Sequence, residues 1–308
     1  MYQAKVETVA RFRMLVVVAS VAGALAALRP PACFAQALSA GEIMARVAEN
    51  QDRAERLRSA YVYRQHIDMR LRNNDGRLLR QEVSEYTVMP AAEGFTKSLT
   101  AFSGRCEVKG QFVSYDKPGD DAPGGAIDKE LIDELREELT ADRKARDGLA
   151  GDLFPLSTRQ QVKYDFKLEG RESYAGFDTY RVSFQPRKKR AGKKPDGGES
   201  SGEFDEASWA GEVLVNAEDF QPVLVTTRLA RKVPFAIRTF LGTNLHGVGF
   251  TVRYEKFDGG VWFPVSFGTE FRVNALFFYK RIITASLKNS DFRRADVGTT
   301  IRYEDPPH

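Results

Sequence analysis

Residues 61–72 have the sequence YVYRQHIDMRLR, in which two kinds of side chain alternate. Tyr61, Tyr63, Ile67 and Met69 belong to the mainly apolar series, and charged residues dominate the other. A period of two is typical of a β-strand with one face in water, because successive side chains point to opposite faces. The sequence therefore predicts a strand here, with one apolar face directed into the protein.

An amphipathic helix is predicted immediately before this strand. Ser39 and Glu42 have the spacing of a capping box, in which the two residues satisfy each other's backbone N–H groups. Apolar residues then recur at helical spacing from Ile43 to about Arg58. The helix should end only a few residues before the strand begins.

Strands dominate the rest of the chain, starting with a turn at residues 73–76. Further strands are predicted at residues 78–89, 95–102, 107–115, 162–169, 180–184, 211–216, 222–230, 248–257, 261–271 and 272–288. A charged helix is predicted near residues 127–147, where an apolar stripe accompanies acidic residues. Residues 187–207 are poor in apolar side chains, which predicts a flexible insertion.

These patterns together predict a mainly β (α+β) fold. We expect a strongly curved antiparallel sheet or incomplete β-barrel, with an N-terminal helix and a second helix packed on or inside it. Residues 38–308 should form a single β-rich domain. No fixed period of roughly 20 to 50 residues repeats, which disfavours propellers and solenoids.

Residues 1–37 have the features of an export signal. Lys5, Arg11 and Arg13 precede an uncharged apolar stretch at residues 14–28, and small residues follow at Ala35 and Ala37. We expect cleavage after one of these two alanines and a periplasmic or otherwise exported envelope protein. The alternative is a retained membrane anchor, although the stretch is shorter than the roughly 20 residues that span a bilayer comfortably.

Charge and cysteine content narrow the classes of partner. The signal holds four Lys/Arg and one Glu, so its removal lowers the formal net charge from +4 to about +1. A nucleic-acid partner is therefore not expected.

Lipid attachment at Cys33 is disfavoured because Pro30 occupies the position that an aliphatic residue would need. Cys106 then has no partner for a disulfide, and we expect a buried, inert thiol.

Two segments resemble the LolA/LolB-like family of bacterial outer-membrane lipoprotein carriers. The first is the capped helix that runs into residues 57–65, LRSAYVYRQ. The second is residues 211–216, GEVLVN, followed by Phe220-Gln221-Pro222 and another strand. This resemblance implies an incomplete β-barrel around helices, with an apolar cavity that shelters acyl chains. The chain is longer than those carriers, and no functional residue of the family can be placed on it.

The strand at residues 61–72 supplies the first candidate binding residues. Tyr61, Tyr63, Ile67 and Met69 are predicted to line an apolar ligand cavity. For each of these residues a packed core explains the same pattern, and that alternative stays open.

A second candidate is the apolar segment at residues 233–241, which basic residues flank. Phe235, Ile237, Phe240 and Leu241 are predicted to contact a ligand or a membrane surface, and Arg231, Lys232 and Arg238 its head groups. A short helix packed on the sheet is the alternative explanation.

Enzymatic function is not expected. The three histidines form no zinc motif, and no nucleophile elbow or dinucleotide loop is complete. We therefore expect no catalytic residues, no metal and no cofactor. The sequence predicts binding, and carriage, of a lipid or acylated protein in the envelope. The alternative is a solidly packed scaffold that holds an envelope protein partner.

Overall fold

The structure is a computed structural model, and it describes residues 38–91, 94–119, 123–140, 149, 154, 156–187, 209–230, 244–246, 248–275 and 279–295. The helices are α1 (Ala40–Arg58), α2 (Ala126–Thr140) and α3 (Thr158–Gln161). The strands are β1 (Tyr61–Arg72), β2 (Leu78–Pro90), β3 (Phe95–Val108), β4 (Gln111–Tyr115), β5 (Tyr164–Tyr174), β6 (Phe177–Pro186), β7 (Trp209–Asn216), β8 (Pro222–Leu229), β9 (Asn244–His246), β10 (Phe250–Lys256), β11 (Trp262–Ala275) and β12 (Tyr279–Arg294).

One antiparallel sheet contains every one of these strands. Its order is β4-β3-β2-β1-β12-β11-β10-β8-β7-β6-β5, and β9 pairs with β11 beside this path. The first long strand therefore pairs with the last, which brings the two ends of the domain together. Among the described strands no ladder joins β4 to β5, so both are edges. The predicted fold class is confirmed: the protein is mainly β, with one antiparallel sheet that is not closed into a barrel, an N-terminal helix and a second helix.

A continuous row of paired residues crosses the sheet and defines its inner face. Directly paired residues of neighbouring strands have side chains on the same face. The row consists of Phe102, Ser84, Ile67, Leu287, Phe267, Val252, Val225, Val213, Val182 and Leu168. Its two end residues are half-buried and all eight between them are buried. We call the face that carries this row the inner face.

The helix α1 forms where the capping box predicts it. The Ser39 backbone N–H donates to Glu42 Oε2 at 2.8 Å, and the Glu42 N–H donates to Ser39 Oγ at 3.2 Å. These bonds hold the pKa of the Glu42 carboxyl below its usual value. The helix buries Ile43, Met44 and Val47. At its far end Arg58 donates to the carbonyl oxygen of Trp262 at 3.1 Å, which fixes α1 to the start of β11.

Three predicted strand boundaries are wrong. Residues 107–115 are not one strand, because a turn with positive φ at Lys109 and Gly110 separates β3 from β4. The strands β5 and β6 are longer than predicted because their turn needs only Ala175 and Gly176. The boundary between the last two strands comes later than predicted, since β11 continues to Ala275 and β12 begins at Tyr279.

Several predicted features fall partly or wholly outside the described residues. These include residues 1–37, residues 141–147 of the predicted charged helix and residues 188–207 of the predicted insertion. Within the described part of the chain, no helix combines the length and the apolar character that crossing a membrane requires.

Candidate functional site

The inner face of β1, β2 and β3 carries a three-by-three array of paired side chains. Its rows are Tyr63–Val88–Lys97, Gln65–Tyr86–Leu99 and Ile67–Ser84–Phe102. We call these nine residues the inner-face array. A bulge between Glu85 and Tyr86 keeps Leu99 and Phe102 on one face although three positions separate them. The array therefore extends the buried row towards one edge of the sheet.

Exposure rises steadily across the array from β1 to β3. All three β1 residues are buried, whereas on β2 Tyr86 is half-buried. On β3 Lys97 and Phe102 are half-buried, and the Leu99 side chain keeps 43% of its surface exposed. Burial raises the pKa of Tyr86 above its usual value. The array is thus mainly apolar, with the polar Gln65 and Ser84 among its buried members, and it is open to solvent at its β3 side.

Lys97 is the only charged residue among these nine. Its Nζ lies 5.4 Å from the centre of the Tyr86 ring, within the range of a cation–π contact. Loss of hydration lowers the pKa of this amine from 10.5 to about 8. A cation therefore stands at the open side of an apolar surface.

The structure brings together three of the four predicted residues on β1. Tyr63, Ile67 and Met69 are fully buried on the inner face. Tyr61 is half-buried and packs edge-on against Phe263, with ring centres 5.1 Å apart. Tyr63 packs in turn on Phe292 at 5.5 Å. These contacts are compatible with a packed core as well as with a cavity wall, so the ligand-lining role stays a prediction.

The second predicted segment lies outside the described residues. This applies to all seven of its named members: Arg231, Lys232, Phe235, Ile237, Arg238, Phe240 and Leu241. Their predicted contacts with a ligand or with head groups stay predictions.

A cluster of buried charges lies further along the same inner face, under α2. The Glu82 side chain is 1% exposed and accepts from Arg80 at 3.2 Å, from the Tyr115 hydroxyl at 2.7 Å and from Arg136 of α2. Arg80 also donates to the Tyr115 oxygen at 2.8 Å and to the carbonyl oxygen of Pro123. Burial and the neighbouring Glu82 carboxylate raise the Tyr115 pKa. Both β2 charges are thus compensated by named partners.

The other end of α2 has a second ionic anchor. The Asp128 carboxylate accepts from Tyr279 at 2.6 Å and from Arg281 Nε at 2.9 Å. Burial and this carboxylate raise the pKa of Tyr279. Leu131 and Ile132 are buried between the two anchors. Charges and apolar contacts together therefore hold α2 on the inner face.

Sequence patterns alone do not reveal this cluster. The sequence predicts only that acidic residues accompany an apolar stripe on this helix. In the structure Asp133 pairs with Arg136 at 2.8 Å, and Arg136 reaches Glu82. Neither face of β2 is apolar in sequence, so the inward direction of Arg80 and Glu82 carries no signal.

A polar cavity of about 200 Å³ lies beside these anchors. Two arginines and two acids line it, namely Arg80, Arg281, Glu107 and Asp128. Cys106 also borders it, and this thiol donates to the Pro123 carbonyl oxygen at 3.1 Å. Burial raises the pKa of the Cys106 thiol, which disfavours its thiolate form. The predicted burial of Cys106 is confirmed, and its inertness stays a prediction.

The outer face of the same strands is polar. His66 Nδ1 lies 2.5 Å from Glu85 Oε1, and Asp68 accepts from Arg70 and Gln81. Among the described residues no group of three His, Cys, Asp or Glu side chains is placed to hold a metal ion. These charges therefore form ordinary surface pairs.

Comparison with known proteins gives distant structural similarities. No family model matches the chain, and no curated protein matches it. The chain is similar to a LolA superfamily protein from Nitrosomonas europaea, with a TM-score of 0.33 and 14% identity, over 85% of this chain and 96% of that one. It is also similar to a putative outer membrane lipoprotein-sorting protein domain from Vibrio parahaemolyticus, with a TM-score of 0.35 and 11% identity, over 83% and 95%.

A third similar structure is a DUF1329 family protein from Desulfovibrio piger, with a TM-score of 0.34 and 14% identity, over 85% of this chain and 96% of that one. One of the three is named for the LolA superfamily and another for outer membrane lipoprotein sorting. At such TM-scores and identities the similarities assign no function, which has to be inferred from the chain's own residues.

Proposed function

We propose that this protein binds, and carries, a lipid or the acyl chain of a lipid-modified protein on the inner face of its sheet. It does so in the cell envelope, after removal of residues 1–37, and without catalysis. The observation that carries the proposal is the inner-face array, where an apolar surface continues from the buried row to solvent.

Apolar burial supplies the driving force for such binding. Transfer of one Leu or Phe side chain out of water is worth roughly 1.5 to 3 kcal/mol, and Leu99, Phe102 and Tyr86 retain exposed surface that an acyl chain can cover. A contiguous apolar surface at the open side of a sheet is a typical ligand site. The buried residues Tyr63 and Ile67 then form the floor of this site.

The segment at residues 231–241 has a part in this proposal. Phe235, Ile237, Phe240 and Leu241 would contact the acyl chain or a membrane, with Arg231, Lys232 and Arg238 at the head groups. This assignment depends on the amphipathic sequence alone.

A scaffold without a ligand is the second candidate, and one observation favours it. The eight central residues of the cross-sheet row are all buried, as in a solid core. Under this view the exposed part of the array would contact another envelope protein.

The experiment compares two neighbouring residues on opposite faces of β3. The protein is purified without detergent, its extract is analysed for lipid by mass spectrometry, and an apolar fluorescent probe is titrated. Leu99→Glu places a charge in the array, whereas Ser98→Glu places the same charge on the outer face of the same strand. We expect co-purified lipid and probe uptake for the wild type and Ser98→Glu, with about tenfold weaker uptake for Leu99→Glu.

Absence of both lipid and probe uptake in the wild-type protein would contradict the proposal and leave the scaffold view. Equal uptake by the two glutamate variants would place the ligand elsewhere than on the array.

A further inference from the structure

We propose that the ligand of the inner-face array carries a hydroxyl group next to its acyl chain, and that Gln65 and Ser84 of the array bind this hydroxyl. The inference rests on the proposed function and adds to it the chemical class of the ligand and the residues that select it. Both side chains are buried, and within the described part of the chain each has a polar atom that makes no hydrogen bond.

A chain of hydrogen bonds fixes the orientation of the Gln65 amide. Asn289 Nδ2 donates to the carbonyl oxygen of Pro264 at 2.8 Å, so the other arm of the Asn289 amide, Oδ1, can only accept. Gln65 Nε2 donates to this Oδ1 at 3.1 Å. Turning the Gln65 amide over would set two acceptor oxygens against each other. The Pro264 carbonyl therefore determines that the nitrogen of Gln65, and not its oxygen, is directed at Asn289.

The remaining atom of this amide, Gln65 Oε1, is an acceptor that the protein leaves unsatisfied. Gln65 is 1% exposed, and none of the described residues donates to Oε1. Buried polar groups are nearly always hydrogen-bonded, because loss of hydration without a new partner costs free energy. A ligand that donates a hydrogen bond here would remove this cost, which a plain acyl chain cannot do.

Ser84 provides a second polar atom beside the first. Ser84 pairs with Ile67, two residues from Gln65 on β1, so the Gln65 and Ser84 side chains are diagonal neighbours on one face. The Ser84 hydroxyl is close enough to Tyr86 to oppose the rise that burial causes in the Tyr86 pKa, yet Ser84 Oγ makes no hydrogen bond of normal geometry. A ligand hydroxyl can donate to Gln65 Oε1 and accept from Ser84 Oγ, since a hydroxyl is both donor and acceptor.

The position of Gln65 also determines where the acyl chain would lie. Gln65 stands between Tyr63 and Ile67 on β1, and its own row continues through Tyr86 to the partly exposed Leu99. A hydroxyl at Gln65 would therefore leave the chain over Tyr86 and Leu99, towards the open β3 side. One molecule would then satisfy the buried acceptor and cover the exposed apolar surface.

The test compares two uncharged compounds that differ in one group. Tetradecan-1-ol has a hydroxyl, and 1-fluorotetradecane has a fluorine of similar size that cannot donate a hydrogen bond. The dissociation constant of each is measured by displacement of an apolar fluorescent probe from the purified protein. The ratio of the two constants is then compared between protein variants, because differences in how the compounds dissolve in water cancel in that comparison.

Two variants remove the proposed partners, and a third is the matched control. Gln65→Met keeps the length of the side chain and removes the amide oxygen, so the preference for the alcohol should fall about tenfold. Ser84→Ala removes the second hydroxyl without removing the bond from Gln65 to Asn289, and the preference should fall about threefold. Gln81→Met removes an amide from the outer face of β2 and should leave the preference unchanged.

Each outcome decides the inference. A fall in Gln65→Met with an unchanged ratio in Gln81→Met supports it, and if Gln65→Met does not fold, the ratio in Ser84→Ala decides in its place. An unchanged ratio in Gln65→Met, or an equal fall in Gln81→Met, overturns the inference while the proposed function stands, and ordered water only then satisfies the two buried atoms. Failure of the wild type to bind the probe and both compounds overturns the proposed function as well.

Discussion

The two ends of the β2–β3 strand pair differ in how charged side chains are placed on the inner face. On the inner face of β2 and β3, the region under α2 buries Arg80 and Glu82 among compensating partners. A few residues along, the array presents an apolar surface with the single cation Lys97. The first region is a docking site completed by the chain's own helix. The second has apolar surface that a ligand can cover, which is why we assign binding to it.

The largest expected effect tests the charge cluster. Glu82→Ala would leave two guanidinium groups buried beside an empty position, which typically costs about 3 to 5 kcal/mol. Urea unfolding followed by circular dichroism measures the change in the free energy of unfolding. Glu85→Ala is the control, because Glu85 is on the outer face of the same strand and pairs with the half-exposed His66. That variant should lose less than about 1 kcal/mol. Similar losses for both would show that the cluster does not anchor α2.

The array itself should show a gradient of packing energy. Ile67→Ala at the fully buried floor should cost about 2 to 5 kcal/mol, as do large-to-small changes in cores. Leu99→Ala at the open side should cost about 1 kcal/mol or less in lipid-free protein, because its side chain is 43% exposed. The same unfolding measurement, made on delipidated protein, compares the two. An equally large cost at Leu99 would mean that this side of the array is a closed core.

Adding ligand should increase the difference in stability between the wild type and Leu99→Ala. If an acyl chain covers the array, adding ligand stabilises the wild type by mass action, and Leu99→Ala should gain less from it. A thermal shift measured with and without ligand provides the check. Equal shifts in the two proteins would count against a contact at Leu99.

A smaller effect is expected at Lys97 in the absence of ligand. Its folded-state pKa is lowered to about 8, so the cost of desolvating the charge is fully present below pH 8. Between pH 8 and 10.5 the unfolded chain binds more protons at this site, and the stability of the wild type rises with pH. Lys97→Met should therefore be more stable than the wild type by about 1 to 2 kcal/mol at pH 7, an advantage that disappears by about pH 10.5.

The control for this prediction is Lys288→Met, which changes an exposed lysine on the outer face of β12. Unfolding curves at several pH values between neutral and alkaline should show no comparable pH-dependent difference for that exposed outer-face residue. A Lys97→Met difference that stays constant with pH would show that the lysine is not desolvated in the folded protein.

Local patterns predict the local parts of this fold. The alternation in residues 61–72 identifies β1 and its buried face because a strand needs no distant partner to fix its period. The capping box of α1 is equally local. The pairing of β1 with β12 is not, since the buried bond from Gln65 to Asn289 joins residues 224 positions apart. No local pattern encodes such a partner.

The candidate site also contains both residues that local patterns predict and residues that they do not. Tyr63 and Ile67 are predictable because their strand alternates cleanly. Lys97 and Leu99 are not, because β3 alternates poorly and its bulge changes which residues share a face. The inward orientation of the Arg80 and Glu82 side chains depends on contacts with α2. Arg136 of that helix compensates Glu82 from more than fifty positions away. Buried charges of this kind are defined by tertiary contacts and not by sequence periodicity.

Photo-crosslinking tests most directly whether the inner-face array holds a lipid. The protein is incubated with a diazirine-labelled myristate, irradiated and digested, and the labelled peptides are identified by mass spectrometry. The account predicts label on the β2 and β3 peptides that contain Tyr86, Leu99 and Phe102, and its loss when unlabelled myristate is added in excess. Label that excess myristate does not displace, or that is confined to other parts of the chain, would contradict it.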